Sequence, residues 1–165
     1  MMKTTLVFLS LLALASVAAA QTKITGTLDC AKMDEQQPIE VGDKPGHILG
    51  LAQNKCTWSK PMEIAGITTK DVVVTGSIDA SGNRGQAHGY AVDTVSNGDK
   101  LTMRLTSTVE MKDGAAVSEK GTWTFVSGTG KLKGIKGKGS YAVTFKADGS
   151  STTEAEGEYT LPEKK

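Results

Sequence analysis

Lys100-Leu101-Thr102-Met103-Arg104-Leu105-Thr106-Ser107-Thr108-Val109-Glu110-Met111-Lys112 decides how this chain folds. Leu101, Met103, Leu105, Ser107, Val109 and Met111 fall on one parity, and Thr102, Arg104, Thr106, Thr108 and Glu110 on the other. Successive side chains of an extended strand point to opposite faces, so this stretch predicts a strand with one apolar and one wet face. A helical period of 3.6 residues would scatter both sets around its axis.

The same alternation recurs on either side. Ile135 to Lys146 sets Ile135, Gly137, Gly139, Tyr141, Val143 and Phe145 against Lys136, Lys138, Ser140, Thr144 and Lys146. Thr152 to Leu161 sets Ala155, Gly157, Tyr159 and Leu161 against Glu154, Glu156 and Glu158. Glu119 to Ser127 carries Gly121, Trp123 and Phe125 inward, with Thr122 and Thr124 outward. Upstream, Ile24, Gly26, Leu28 and Cys30 form one such face and Val72, Val74, Gly76 and Ile78 another. His47 to Trp58 and Gln86 to Val95 are strand-like but two-sided, which brings the total to about eight.

Between the runs stand Ser81-Gly82-Asn83, Asn97-Gly98-Asp99, Asp113-Gly114 and Asp148-Gly149-Ser150, residues that tolerate positive φ in tight hairpin turns. Short links imply an antiparallel meander. In the last hairpin, Val143 and Phe145 must oppose Ala155 and Thr153 or neighbours of their parity, which a three-residue loop at Asp148 to Ser150 satisfies. One-sided burial over this many strands leaves a sandwich or a closed barrel. Glycines on the inward face (Gly26, Gly76, Gly121, Gly137, Gly139, Gly157) favour the barrel, whose strands bend sharply and pack closely. The expectation is an all-β chain forming a single closed antiparallel up-and-down β-barrel. Ala31 to Gly46 and Ser59 to Thr69 are less regular and are expected over one barrel mouth.

The first twenty residues read as an address. Lys3 precedes an apolar run from Leu6 to Val17, and Ala18-Ala19-Ala20 gives the small-residue pattern that a signal peptidase cuts after. Residues 1–20 are thus expected to be a signal peptide and residues 21–165 the barrel domain. That apolar run is shorter than the roughly 20 residues a membrane span needs, so no span is expected. About 145 residues remain, enough for one core. The brief basic start and Ala-rich cut site look bacterial, with the periplasm or the medium as destination. Without Lys3 the 19 basic residues become 18 and balance the 18 acidic ones, so the basic footprint of nucleic-acid binding is missing. Two cysteines in an exported chain predict a Cys30–Cys56 disulfide. Closing about 27 residues stabilises a fold by roughly 3.5 kcal/mol in the chain-entropy view.

Gly128-Thr129-Gly130-Lys131-Leu132-Lys133-Gly134-Ile135-Lys136-Gly137-Lys138-Gly139, preceded by Trp123-Thr124-Phe125-Val126, resembles the G-T-G-x-[LFY]-x-G-x-x-G-x-G pattern of the allene oxide cyclase and dirigent barrel superfamily. The resemblance covers about a dozen residues, is specific for the barrel, and is nearest to uncharacterised bacterial exported proteins. Ser127 stands where the plant proteins usually have Gly. Plant cyclases of the superfamily isomerise an unstable fatty-acid epoxide inside the barrel, and dirigent proteins guide phenol radical coupling; their active-site residues have no counterparts placed here. Gly121-Thr122-Trp123 is also similar to the lipocalin G-x-W, but that motif belongs on a first strand and here falls on about the sixth.

Candidate chemistry is sparse. On the Gln86 to Val95 strand, Gln86, His88, Tyr90 and Val92 share a face opposite Ala87, Gly89 and Ala91. If the larger set points inward, His88 and Tyr90 join Trp123 and Tyr141 as ligand-binding groups; if the small set does, it makes room for those rings and His88 meets solvent. His47 reads as a loop or strand-start residue, and Asp79-Ala80-Ser81-Gly82-Asn83 as a turn without the later Glu of a calcium loop. No metal cluster, nucleophile elbow or phosphate loop is present, and no cofactor is expected. Lys131, Lys133, Lys136 and Lys138 form a basic stripe, offset by Glu154, Glu156 and Glu158. Three functions follow: non-enzymatic binding of a small apolar or aromatic ligand, a cyclase-like isomerase inside the barrel, or a surface module for anionic polysaccharide or lipid headgroups.

Overall fold

The computed structural model describes residues 21–33 and 35–162; the expected signal peptide over residues 1–20 lies outside the described residues. Ten strands follow one another: β1 (Thr22–Cys30), β2 (Glu35–Glu40), β3 (His47–Lys60), β4 (Glu63–Ile64), β5 (Ile67–Ser81), β6 (Arg84–Val95), β7 (Lys100–Lys112), β8 (Ala115–Gly128), β9 (Lys136–Phe145) and β10 (Ser151–Thr160). Eight of them close a ring in the order β1-β3-β5-β6-β7-β8-β9-β10 and back to β1. Every pairing is antiparallel, and the closing seam runs from Thr22 opposite Tyr159 to Cys30 opposite Ser151.

The alternation of Lys100 to Lys112 becomes β7 residue for residue. Leu101, Met103, Ser107 and Val109 are buried on the inner face. In the last hairpin Phe145 opposes Ser151 and Val143 opposes Thr153, so the expected parity holds. Cys30 and Cys56 are directly opposed on β1 and β3 and form the disulfide.

Inward glycines seat rings. A Cβ on Gly121 would meet the Tyr141 ring at 2.7 Å, one on Gly137 would meet Phe125 at 2.8 Å, and Gly139 and Gly157 lie flat against the Trp123 indole. The glycine motif supplies both these flat seats and the link before β9. Gly130 (φ +48°) and Gly134 (φ +80°) frame a 3-10 turn at Gly130–Leu132 in conformations that a side chain would strain. The Asp99 carboxylate fastens that turn by accepting from the Lys131 backbone N–H at 3.0 Å. Leu132, with no exposed surface, then drops into the barrel end.

The two irregular stretches do not cover one mouth together. Residues 59–69 lie at the end where β9 begins and β10 finishes, and Ala31 to Gly46 at the opposite end, because β1 and β3 run the length of the wall in opposite directions. The first stretch is also more regular than expected: Ala65 (φ +51°) and Gly66 (φ +76°) turn β4 back onto β5. Met62 and Ile64 plug that end, each 1% exposed, and the Ala65 N–H donates to the Tyr159 hydroxyl at 2.9 Å. The second stretch contains β2, which continues the line of β1 along the first half of β3 and is exposed throughout. Met62, Ile64 and Leu132 seal the first end, whereas the inward residues Leu105, Tyr141, Val143 and Phe145 toward the other are only half-buried, so that end is open among the described residues.

Candidate functional site

Parity along β5 to β10 turns one side chain in two toward the axis, and the large residues leave a cavity of about 150 Å³ toward the open end. Its walls carry the rings of Trp58, Trp123, Tyr141 and Phe145 and the flexible side chains of Met33, Met62 and Met103. Polar groups on the lining are few: Asn54, Glu119, Ser151 and Thr153, besides the Tyr141 hydroxyl. A dry, apolar cavity of about this size accepts a benzene-sized molecule.

Glu119 organises the polar side. It stands on β8 two residues before Gly121 and opposite Val143 of β9, which brings its carboxylate into the interior. Oε1 accepts from the Ser107 hydroxyl at 2.6 Å and from the Tyr141 phenol at 2.8 Å. Oε2 takes no hydrogen bond from the described residues and is not sealed from solvent. Burial first, and the neighbouring Glu119 charge second, lift the Tyr141 phenol well above its ordinary range, so it stays protonated and donates.

A second carboxyl lies deeper. Asp93 of β6 has no exposed surface and accepts the Trp58 indole N–H at 2.5 Å, while its Oδ2 has no partner. Burial pushes it up to about 7 against the smaller opposing effect of that hydrogen bond. The Trp123 indole N–H and Asn54 Oδ1 are likewise buried without partners.

The four ligand-binding candidates divide. Trp123 and Tyr141 line the cavity. His88 and Tyr90 do not join them: β6 turns Ala87, Gly89 and Ala91 inward, and Tyr90 is 48% exposed. The reason is space, since a Cβ on Gly89 would meet Thr75 O at 2.5 Å, and only the small set fits against β5. His88 instead borders a shallow outer groove of about 610 Å³ with Ile39, Leu49, Leu51 and Asp79. His47 stands at the start of β3, its ring nitrogens bonded to Asp43 (2.6 Å) and Asp79 (2.9 Å). Among the described residues no cluster suits a metal ion. The lysine stripe faces outward, with Lys138 directly opposite Glu158.

Glu119 and Asp93 were missed as interior groups although parity marks both: Glu119 is in phase with Trp123, and Asp93 with Ala91. Met33 and Met62 sit in connectors and carry no such signal.

No family model and no curated protein matches the chain. Solved structures do. A conserved protein of unknown function from Rhodopseudomonas palustris superposes with a TM-score of 0.51 at 6% identity, covering 86% of this chain and 99% of that one. The pterocarpan synthase dirigent protein superposes with a TM-score of 0.50 at 12% identity, covering 87% of this chain and 92% of that one. Likeness at such identities is likeness of fold: the chain shares the fold of a dirigent protein and of a bacterial protein whose function is unknown.

Proposed function

We propose that the protein is an exported binding barrel that holds one small apolar or aromatic molecule without transforming it. The observation that carries this reading is the cavity of about 150 Å³ behind an open mouth, walled by four aromatic rings and three methionines. Methionine and aromatic walls adapt to flat apolar ligands, and a few convergent polar groups orient them. Export is supported by the Cys30–Cys56 disulfide and by the leader pattern before Gln21.

Both tryptophans of the chain line the cavity, so intrinsic fluorescence reads its occupancy directly. Titration with toluene and benzyl alcohol should change that fluorescence saturably, and Ala155→Leu, which fills space opposite Tyr141, should abolish the change while the circular dichroism stays all-β. No saturable change with either probe, or an unchanged response in Ala155→Leu, overturns the reading.

Cyclase-like chemistry is a second reading, favoured by the Tyr141 hydroxyl on Glu119, an acid and a base held 2.8 Å apart beside the cavity. Rearrangement of an added apolar epoxide, lost in Glu119→Gln, would support it; an epoxide recovered unchanged would dismiss it.

A further inference from the structure

We infer that the barrel interior selects an organic cation: a protonated amine carried on a single-ring apolar body. The inference rests on the interior-binding reading above and names the class of ligand.

Among the described residues, Glu119 is the only charged side chain on the cavity wall. No Lys, Arg or His nitrogen among the described residues lies within 4.0 Å of its carboxylate; the ion pairs found both belong to His47. Glu119 is half-buried, and a charge partly withdrawn from water is ordinarily compensated by an opposite charge or several hydrogen bonds. Here the compensation is one-sided. Ser107 and Tyr141 both donate to Oε1, which fixes the carboxylate in place and leaves Oε2 free to meet a donor. The inner faces of the strands bring no basic residue to offset it, and the deeper Asp93 adds a second acid rather than a base.

The rest of the wall suits the same ligand. Trp123 and Tyr141 line the same cavity, an aromatic ring attracts a cation through its quadrupole, and Tyr141 is the residue bonded to Glu119. A primary ammonium has three donors and no acceptor, so it satisfies Oε2 without stranding a lone pair. A carboxylate or phosphate on the ligand would face Glu119 with like charge. A neutral alcohol would donate one bond to the carboxylate but would lack the attraction between opposite charges. The cavity volume of about 150 Å³ limits the body to about one ring with a short tail.

The test compares 2-phenylethylammonium, 2-phenylethanol and phenylacetate, three probes of one shape and different charge, by tryptophan fluorescence and calorimetry near neutral pH. The ammonium should bind about tenfold more tightly than the alcohol, and phenylacetate more weakly than both. Glu119→Gln retains an oxygen for Ser107 and Tyr141, and should bring the ammonium down to the affinity of the alcohol, with a far smaller change for the alcohol itself. Raised salt should weaken the ammonium alone. Alcohol and ammonium binding equally to the native protein would overturn the cation preference and leave the apolar-ligand reading standing; a preference for the ammonium that survives Glu119→Gln would overturn Glu119 as its cause. Failure of all three probes would overturn both.

Discussion

Trp58 donates its indole N–H to Asp93 Oδ1 at 2.5 Å inside the sealed end of the barrel, and the other oxygen of that carboxyl has no partner. An unpaired acid in this position makes stability fall as pH rises. The unfolded chain ionises Asp93 near 3.8, whereas the folded barrel does so near 7. Below the lower value both states hold the proton and the full stability is present. Between the two values the unfolded state alone has lost it, so stability declines, and above 7 the loss is complete. A shift of this size corresponds to about 4 kcal/mol. Asp93→Asn keeps an acceptor for Trp58 and removes the titration. Urea unfolding at a series of pH values should therefore show the variant gaining on the native protein from about pH 4 to pH 7 and holding a constant lead beyond. A constant difference across the whole range would refute the assignment.

Gly139 offers a test of the ring-seating role. A Cβ there would meet the Trp123 indole at 2.5 Å and collide with the Glu156 carbonyl, both of which are fixed by the wall. Overpacking of this kind typically destabilises by about 1–3 kcal/mol, and backbone contact places Gly139→Ala at the upper end. Gly114 is the control. It has φ +78° and open space around the missing Cβ, so Gly114→Ala should lose roughly 1 kcal/mol from backbone strain alone. Thermal unfolding should rank them Gly139→Ala below Gly114→Ala, with tryptophan fluorescence altered only in the former.

Much of this barrel is written in period-two alternation, because each wall residue has only two choices, axis or solvent, and Leu101 and Thr102 choose oppositely. The end-sealing residues were harder to read. Met62, Ile64 and Leu132 act from turns and links, where burial depends on which strands the ring brings together rather than on any local period. For β6 the alternation allows either face inward, His88 with Tyr90 or Ala87 with Gly89. The deciding contact, Gly89 against the Thr75 carbonyl, joins strands whose pairing no short window of sequence contains. Glu119 shows a different limit. Its parity places it inward, but acidic residues are read as surface by habit, and only the Ser107 and Tyr141 hydroxyls on two neighbouring strands make its interior position tenable.

His47 bridges the turn before β3 to β5 through Asp43 and Asp79. Hydrogen bonds to the two carboxylates, Asp43 first, raise its pKa above the ordinary 6.5. The sign is opposite to that of a depressed acid: the bridge is fully charged below the unfolded value and weakens as pH rises through the folded one. Amide exchange in Ile48 to Leu51, where β3 holds the exposed strand β2, should be slow at pH 6 and faster at pH 8 after correction for intrinsic rates. In His47→Ala that corrected pH dependence should vanish, with fast exchange at both values. Equal protection in the variant and the native protein would show that the bridge does not hold this edge.

The disulfide sits where β1 leaves the barrel wall and β2 begins, pinning Cys30 to Cys56 beside the cavity. Its loss acts on two quantities. Releasing a closed loop of about 27 residues gives the unfolded chain more freedom, which lowers stability by roughly 3.5 kcal/mol. It also frees Met33 and the mouth of the barrel, since β1 pairs with β3 only from Thr27 to Cys30. The double variant Cys30→Ser with Cys56→Ser should melt well below the native protein and bind toluene more weakly, while remaining all-β because the β1–β10 seam is independent of the bond. Reduction of the native protein with dithiothreitol should reproduce both effects, and reoxidation should reverse them. A melting temperature unmoved by reduction would show that the seam with β10 alone fixes β1, and the mouth would then owe its shape to backbone pairing rather than to the cross-link.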